Sequence, residues 1–271
     1  MTIPTRKLGR TGVDIPILGL GAMDTPGSPE AMETLAAAAE AGVRFVDTAR
    51  EYAGSEHLIG RFLREYGSNP FYLASKTFAR TADGAQREVD RSLSVLGVPR
   101  IDLYQLHDVS TGDAWDAVMA ERGALEGLKV AQYRGLVGQI GLSTHDLAIA
   151  QLAIASGDFD TIMLDFSAFA PESRSTVQDA AVVGLGVIVM RPVGGSGRAS
   201  VLRNRKPASD ELSFERLLDY VWSEPAVSLA IPGTRYPDRV RRNATAAANH
   251  RPLSEAACRA LEATAEQFYE G

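Results

Sequence analysis

Apolar residues along this chain fall into short runs, each followed by a polar loop and then by a stretch of helical periodicity. The runs are Pro16–Ala22, Phe45–Ala49, Phe71–Lys76, Asp102–Asp108, Gln139–Thr144, Thr161–Ser167, Gly186–Pro192 and Val227–Thr234. Stretches such as Val187–Met190 and Thr161–Leu164 are apolar at consecutive positions, the pattern of a strand buried on both faces. Between the runs, the spacing predicts helices over Ser28–Gly42, Ser55–Tyr66, Asp83–Gly97, Asp113–Gly135, Asp146–Gly157, Pro171–Gly184, Asp210–Ser223 and Pro237–Asn249, with a last one over Ser254–Tyr269. In the first of these, Ser28 stands as N-cap with Pro29 at the first helical position, and Gly42 is the stop.

Alternating strands and helices imply a parallel sheet joined by right-handed crossovers. Eight strand–helix units in a chain of this length give the count of a (β/α)8 TIM barrel. A doubly wound sheet is the competing architecture. After the first strand, Gly19–Asp24 reads GLGAMD, which lacks the third glycine and the helix start of a dinucleotide fingerprint. Thr5–Pro16, with a turn at Gly9–Gly12, is expected to be a β-hairpin closing the bottom of the barrel. No linker or low-complexity tract interrupts the pattern, so residues 1–271 are expected to form one domain.

Composition narrows the class. Of 271 residues, 45% are hydrophobic and 23% charged, the balance of a soluble globular enzyme. No apolar run reaches membrane-spanning length, and the N-terminus lacks the apolar core of a signal peptide. A single cysteine, Cys258, rules out an internal disulfide and a cysteine-based zinc cluster, and with these features points to a cytoplasmic location. The net charge of −6 argues against non-specific nucleic-acid binding, so the expected partner is a small molecule. Oligomeric state is not legible.

Candidate chemistry sits where the apolar runs end. Asp47, Lys76 and His107 close strands two, three and four, and Tyr52 lies in the loop after strand two. In a parallel barrel these C-terminal strand ends share one face. An ammonium beside a phenol favours the phenolate and lowers the phenol's pKa. Lys76 is therefore expected to acidify Tyr52 as a proton donor, Asp47 to hold Lys76, and His107 to donate to a carbonyl oxygen or relay its proton. A Schiff-base lyase using Lys76 is a rival reading. Phosphate chemistry is expected after strands seven and eight. The first loop, Arg191–Ser200, offers the backbone N–H groups of Gly194, Gly195 and Ser196 together with Arg198. The second leads into a helix N-terminus flanked by Arg235, Arg239, Arg241 and Arg242, where an anion is favoured.

In order along the chain stand RKLGRTG, FVDTAREYAGSE, ASKT, DLYQLH, IGLS and IPGTR. Together they make the sequence resemble the aldo-keto reductase family. The resemblance implies a nicotinamide cofactor, NADPH ahead of NADH, bound without a Rossmann domain. It assigns Tyr52 as general acid, Lys76 and Asp47 as its tuning pair and His107 as the carbonyl orienter. It places Gly21, Ala22 and Met23 along the nicotinamide ribose, Asp47 also at the cofactor, and Ser143, with Thr144 beside it, at the carboxamide. Arg239 and Asn243 match positions that bind the adenosine 2′-phosphate and the adenine, with Gly233, Thr234 and Arg235 next to them. Arg191 and Pro192, which open the loop after strand seven, are also expected at the cofactor. Arg241 reads as a solvent-facing charge. The chain departs from the family pattern at Asp165, where a carboxamide-binding Gln is common, and at Met190, where many members stack an aromatic ring. It departs again at Gly233 and Arg242. Asp24, Thr25, Phe78, Trp115 and Phe169 are expected to approach a pocket for a small aldehyde, ketone or aldose. A non-catalytic NADP-binding regulatory subunit is the other reading of the same motifs.

Overall fold

The computed structural model describes residues 2–194, 200–205 and 210–270. Among the described residues ten strands are formed: β1 Thr5–Lys7, β2 Asp14–Pro16, β3 Gly19–Gly21, β4 Phe45–Asp47, β5 Tyr72–Thr77, β6 Ile101–Leu106, β7 Val137–Ser143, β8 Thr161–Asp165, β9 Gly186–Met190 and β10 Leu229–Ala230. Strands β3 to β10 pair in sequence order, all parallel. Parallel bridges Leu18↔Ala230 and Gly21↔Gly233 bring the last strand back to the first, and the sheet closes into the expected (β/α)8 barrel.

Helices α1 Ala31–Glu40, α2 Ser55–Tyr66, α3 Ala82–Leu96, α4 Gly112–Met119, α5 Ala124–Tyr133, α6 Leu147–Ser156, α7 Arg174–Val182, α8 Val201–Asn204, α9 Phe214–Trp222, α10 Pro237–Ala248 and α11 Glu255–Glu270 surround it. Local signals explain several boundaries. Thr81, Thr111, Asp146 and Ser213 each accept an N–H of the first turn of their helix. Gly97 and Gly157 adopt the left-handed conformation that ends α3 and α6.

Four helices differ from the sequence expectation, and those foreseen from Pro171 and Asp210 begin at Arg174 and Phe214, each after a 3-10 turn. The helix foreseen from Ser28 begins at Ala31, because Thr25–Gly27 forms a 3-10 turn and Ser28 Oγ accepts from Glu30 N. The single helix foreseen over Asp113–Gly135 is two. Arg122 takes φ 60°, and its carbonyl accepts from Ala82 N at 2.8 Å. A Cβ on Gly123 would lie 2.5 Å from Val118 O, so glycine permits the sharp turn that docks this corner against the start of α3.

The barrel interior is a packed plug of Phe45, Ala74, Leu103, Met163, Ile188, Leu229 and Ile231. Leu8 and Ile15 of the hairpin complete it from below. A larger apolar layer lies between the sheet and the helices. Gly9, at φ 51°, lets the hairpin approach β9 closely; a Cβ there would stand 2.2 Å from Gly186 N. Arg6 fastens the same hairpin by donating to the carbonyl of Trp222, the last residue of α9, and to those of Glu224 (2.9 Å) and Val227 (2.7 Å) just beyond it. Arg6→Ala strips charge-assisted bonds from three carbonyls. Urea unfolding is expected to show a loss of about 2–3 kcal/mol, with the slope unchanged. A loss below about 0.5 kcal/mol, the level of an ordinary surface change, would contradict this anchoring role.

Candidate active site

The closed barrel brings the ends of β4, β5 and β6 together at one mouth. Lys76 and Asp47 are fully buried there. The Lys76 ammonium has three protons and three acceptors: Asp47 Oδ2 at 2.6 Å, Thr48 O at 2.9 Å and Tyr52 OH at 3.4 Å. Asp47 Oδ1 accepts from Gln105 Nε2 at 3.4 Å. The Tyr52 and His107 rings meet edge to face at 5.4 Å. Asp47, Tyr52, Lys76 and His107, predicted as a set, thus form one cluster.

The loop carrying Tyr52 is held by polar ties the sequence does not advertise. Thr48 Oγ donates to Ser55 Oγ (2.7 Å), which donates to Ala22 O (2.9 Å). Arg50 bridges the buried Glu56 and, at 2.7 Å, Glu88 of α3. Glu56 also accepts from Ser75 Oγ at 2.7 Å. Charges this deeply placed are tolerable because each is paired.

Electrostatics correct one expectation. Burial pushes the Tyr52 phenol above its ordinary value; Lys76 pulls it down but does not prevail, and Asp47 and Glu51 push it further up. The ammonium is shared with a carboxylate that lies closer to it than the phenol does, so its field at Tyr52 is partly cancelled. Tyr52 is therefore a protonated phenol at neutral pH. Lys76 is raised: burial opposes its charge, but Asp47 and Tyr52 together outweigh that cost. Burial raises the Asp47 carboxyl, against the pull of Lys76.

Two neighbours of His107, Glu51 and Arg80, escaped sequence reasoning, and Phe78 was expected only to approach the pocket. Glu51 Oε2 lies 3.0 Å from His107 Nδ1, Phe78 stacks on the imidazole at 4.3 Å between centroids, and Arg80 donates to His107 O at 3.1 Å. Glu51 directly precedes Tyr52, and Phe78 and Arg80 follow strand three, so only the turn of the chain shows that they meet.

Across the mouth, Asp165 at the end of β8 binds His145 Nδ1 at 2.9 Å and Arg191 at 3.1 Å. Arg191 also reaches His145 Nε2 at 3.1 Å and holds φ 53°. Asp165 and Arg191 were expected at the cofactor; the structure ties them to each other, directly and through His145. Asp165 Oδ1 is buried without a partner among the described residues. Ser143 is buried at the end of β7, where its hydroxyl accepts from Asp108 N at 3.0 Å; Thr144, also buried, caps Asp146 N. Met190 packs half-buried on the barrel interior, and Pro192 is buried beside it.

The strand-one and strand-eight loops also meet. Gly21 and Ala22 are buried, whereas Met23 is 53% exposed. Asp24 pairs with Arg235 at 3.6 Å. Thr25, expected near substrate, is fully buried and donates to Thr234 O, tying one loop to the other. Gly233 is exposed, Thr234 and Asn243 are buried, and Arg239 lies 5.1 Å over the Phe214 ring. Arg241 pairs with Asp238 at the surface, as expected. Gly194 is described; Gly195, Ser196 and Arg198 lie outside the described residues. Of the remaining pocket candidates, Phe78 is exposed beside His107, whereas Phe169 is buried and Trp115 packs against the outer apolar layer.

The arginines fit an anionic group by their chemistry. Arg235, Arg239 and Arg242 flank the first turns of the twelve-residue α10, whose N-cap, Tyr236, supplies no side-chain cap. Among the described residues, no helix is long and apolar enough to cross a membrane.

Comparison with known proteins supplies independent findings. The family described as Aldo/keto reductase family matches residues 17–216. An uncharacterized oxidoreductase from Bacillus subtilis, YqkF, is 25% identical, with 97% of this chain and 96% of that protein aligned. A putative aldo-keto reductase from Pseudomonas aeruginosa superposes with a TM-score of 0.76 at 27% identity, covering 91% of this chain and 95% of that one. An aldo-keto reductase from Klebsiella pneumoniae, solved in complex with NADPH, has the same fold, with a TM-score of 0.80 at 22% identity, covering 97% of this chain and 95% of that one.

Proposed function

This chain belongs to the aldo/keto reductase family, a family of NAD(P)H-dependent oxidoreductases, and from that premise we propose that it reduces a small aldehyde, ketone or aldose to the alcohol, with NADPH as cofactor and Tyr52 as proton donor. The observation that carries the reading is the shared ammonium: Lys76 Nζ reaches both Asp47 and the Tyr52 hydroxyl at the mouth of the barrel.

When bound, the reduced nicotinamide supplies a hydride to the carbonyl carbon. The π electrons of the carbonyl then move to its oxygen, which takes the Tyr52 proton. The phenolate left behind lies beside the Lys76 ammonium, so the donor's conjugate base is stabilised where it forms. Burial keeps Tyr52 protonated until the oxygen gains charge, and Lys76 offsets part of the penalty that burial imposes on the phenolate. A Schiff base at Lys76 fits poorly, because that amine must be neutral to attack and Asp47 holds it as the ammonium. His107, flanked by Phe78, would form one wall of the substrate pocket. Loss of dihydronicotinamide absorbance on mixing with a panel of aldehydes, ketones and aldoses tests the reading; no turnover with any of them, despite tight NADPH binding, would favour a regulatory subunit.

Arg235, Arg239 and Asn243 would hold the adenosine end of the cofactor, with Arg239 facing the 2′-phosphate that only NADPH carries. The carboxamide would meet Ser143, while Asp165 is paired with Arg191 and hydrogen-bonded to His145. Arg239→Ala is expected to weaken NADPH by about tenfold or more, the scale of one charge-assisted contact, and NADH by much less. Fluorescence titration with both dinucleotides checks this, and equal weakening would exclude the 2′-phosphate role. Cys258 has no second cysteine to pair with, which accords with a cytoplasmic enzyme.

A further inference from the structure

Strand alternation decides which side chains face the barrel axis. In β8, Met163 belongs to the interior plug, so Asp165, two residues on, faces the axis one layer higher. The same count from Phe45 and Ala74 puts Asp47 and Lys76 on the axis. Asp165 thus shares the mouth with Tyr52, where a hydride donor must lie to serve the same carbonyl. Its Oδ1 is buried without a partner among the described residues, an acceptor that the carboxamide N–H of a nicotinamide would satisfy. Its Oδ2 is taken by Arg191 at 3.1 Å and by His145 Nδ1 at 2.9 Å. Met190 already packs on the interior, so an extended Arg191 would turn its side chain away from the axis. Arg191 instead holds φ 53°, in the left-handed region that a non-glycine residue keeps only when its surroundings demand it. That turn returns the guanidinium to Asp165.

An oxidised nicotinamide ring carries a positive charge and a reduced one carries none. A lone carboxylate beside the ring would therefore hold NADP+ more tightly than NADPH, and a carbonyl reductase must release NADP+ at the end of every turnover. We propose that Arg191 is a positioning residue that sets the balance between the two forms of the cofactor. Its ion pair with Asp165 cancels the carboxylate's field at the nicotinamide, so the site carries that carboxylate without trapping the oxidised form. The inference rests on the NADPH reading of the site and adds to it the residue that governs redox preference. Arg191 itself touches neither the hydride nor the carbonyl; it acts through Asp165.

The test is calorimetric titration with NADP+ and with NADPH, read as the ratio of their dissociation constants. All variants are made in a His145→Gln parent, so that no imidazole can take up the lost charge. Arg191→Gln is expected to shift the ratio about fivefold or more toward NADP+, the scale of one unit charge several ångströms from the ring in a partly solvated site. Asp165→Asn leaves the guanidinium alone and is expected to shift it toward NADPH by a similar factor. The double variant is neutral again and should return to within about twofold of the parent, and Arg191→Lys, which keeps the charge, should stay near it. Shifts of opposite sign that cancel in the double variant are the expected result, because a merely structural role would weaken both forms together and leave the ratio in place. A ratio unchanged in Arg191→Gln, or shifted the same way by Arg191→Gln and Asp165→Asn, overturns the proposal. If neither form binds the parent, the inference falls together with the NADPH reading. Opposite shifts without turnover of any carbonyl support it and count against the reductase reading alone.

Discussion

Tyr52→Phe is expected to cost about two decades or more in turnover, the usual effect of removing a general acid, with NADPH binding retained. The phenol is the one group of the cluster placed to give up a proton while its conjugate base stays beside a cation. Phenylalanine keeps the ring and its contact with His107 and removes only the hydroxyl. The loss should therefore appear in kcat and kcat/KM together, as for an interaction made in the transition state. The same variant reports on the phenol's titration. Because burial raises Tyr52, its phenolate should be missing from an ultraviolet difference titration at the pH near 10 where exposed tyrosines ionise, and should emerge above it. Full turnover without the hydroxyl would exclude Tyr52 as the donor, and a phenolate appearing well below pH 10 would restore the acidified phenol of the sequence reading.

Removing the counter-charge of Lys76 should have the largest effect on stability. Asp47→Asn leaves a fully buried ammonium without its carboxylate, and a broken buried pair costs about 3–5 kcal/mol at neutral pH. The sign of its pH dependence follows from the shift of Lys76. Its folded value is raised, so the pair's contribution is fully present below the ordinary lysine value near 10.5 and is lost as pH climbs through the folded value. In the variant the unpaired amine is disfavoured as an ammonium by burial, so the unfolded chain binds the proton more tightly and stability rises toward the same pH. The gap between the two proteins should be widest near neutrality and close on the alkaline side. Denaturant midpoints measured from neutral to strongly alkaline pH check this; a gap that is constant with pH would mean that Asp47 acts by packing rather than by charge.

Much of this molecule is legible in one dimension. The alternation of apolar runs with helical periodicity encodes the barrel, because strands covered on both faces must be apolar throughout. The order of the strands follows from the handedness of their crossovers. Asp47, Tyr52, Lys76 and His107 stand out because each sits at or just past the end of a strand, and parallel strands place their ends together. Other features depend on residues distant in the chain. The break at Arg122 and Gly123 answers to the docking of that corner on Ala82, a contact that no local periodicity records. Thr25 reads as a pocket residue until its hydroxyl is seen to fasten the strand-eight loop.

The chain's pattern of side chains by itself determined the barrel, the family and the four residues at its mouth, since periodicity and strand-end placement are carried by sequence order alone. Only the tertiary structure decided the electrical character of those residues. Whether Lys76 acidifies Tyr52 depends on how far its charge is already spent on Asp47 and on how much water reaches the phenol. That His107 Nδ1 meets Glu51 at all follows only from the folding of the loop after β4 against the end of β6. Burial and pair distances fix these quantities, and both exist only once the chain has closed on itself.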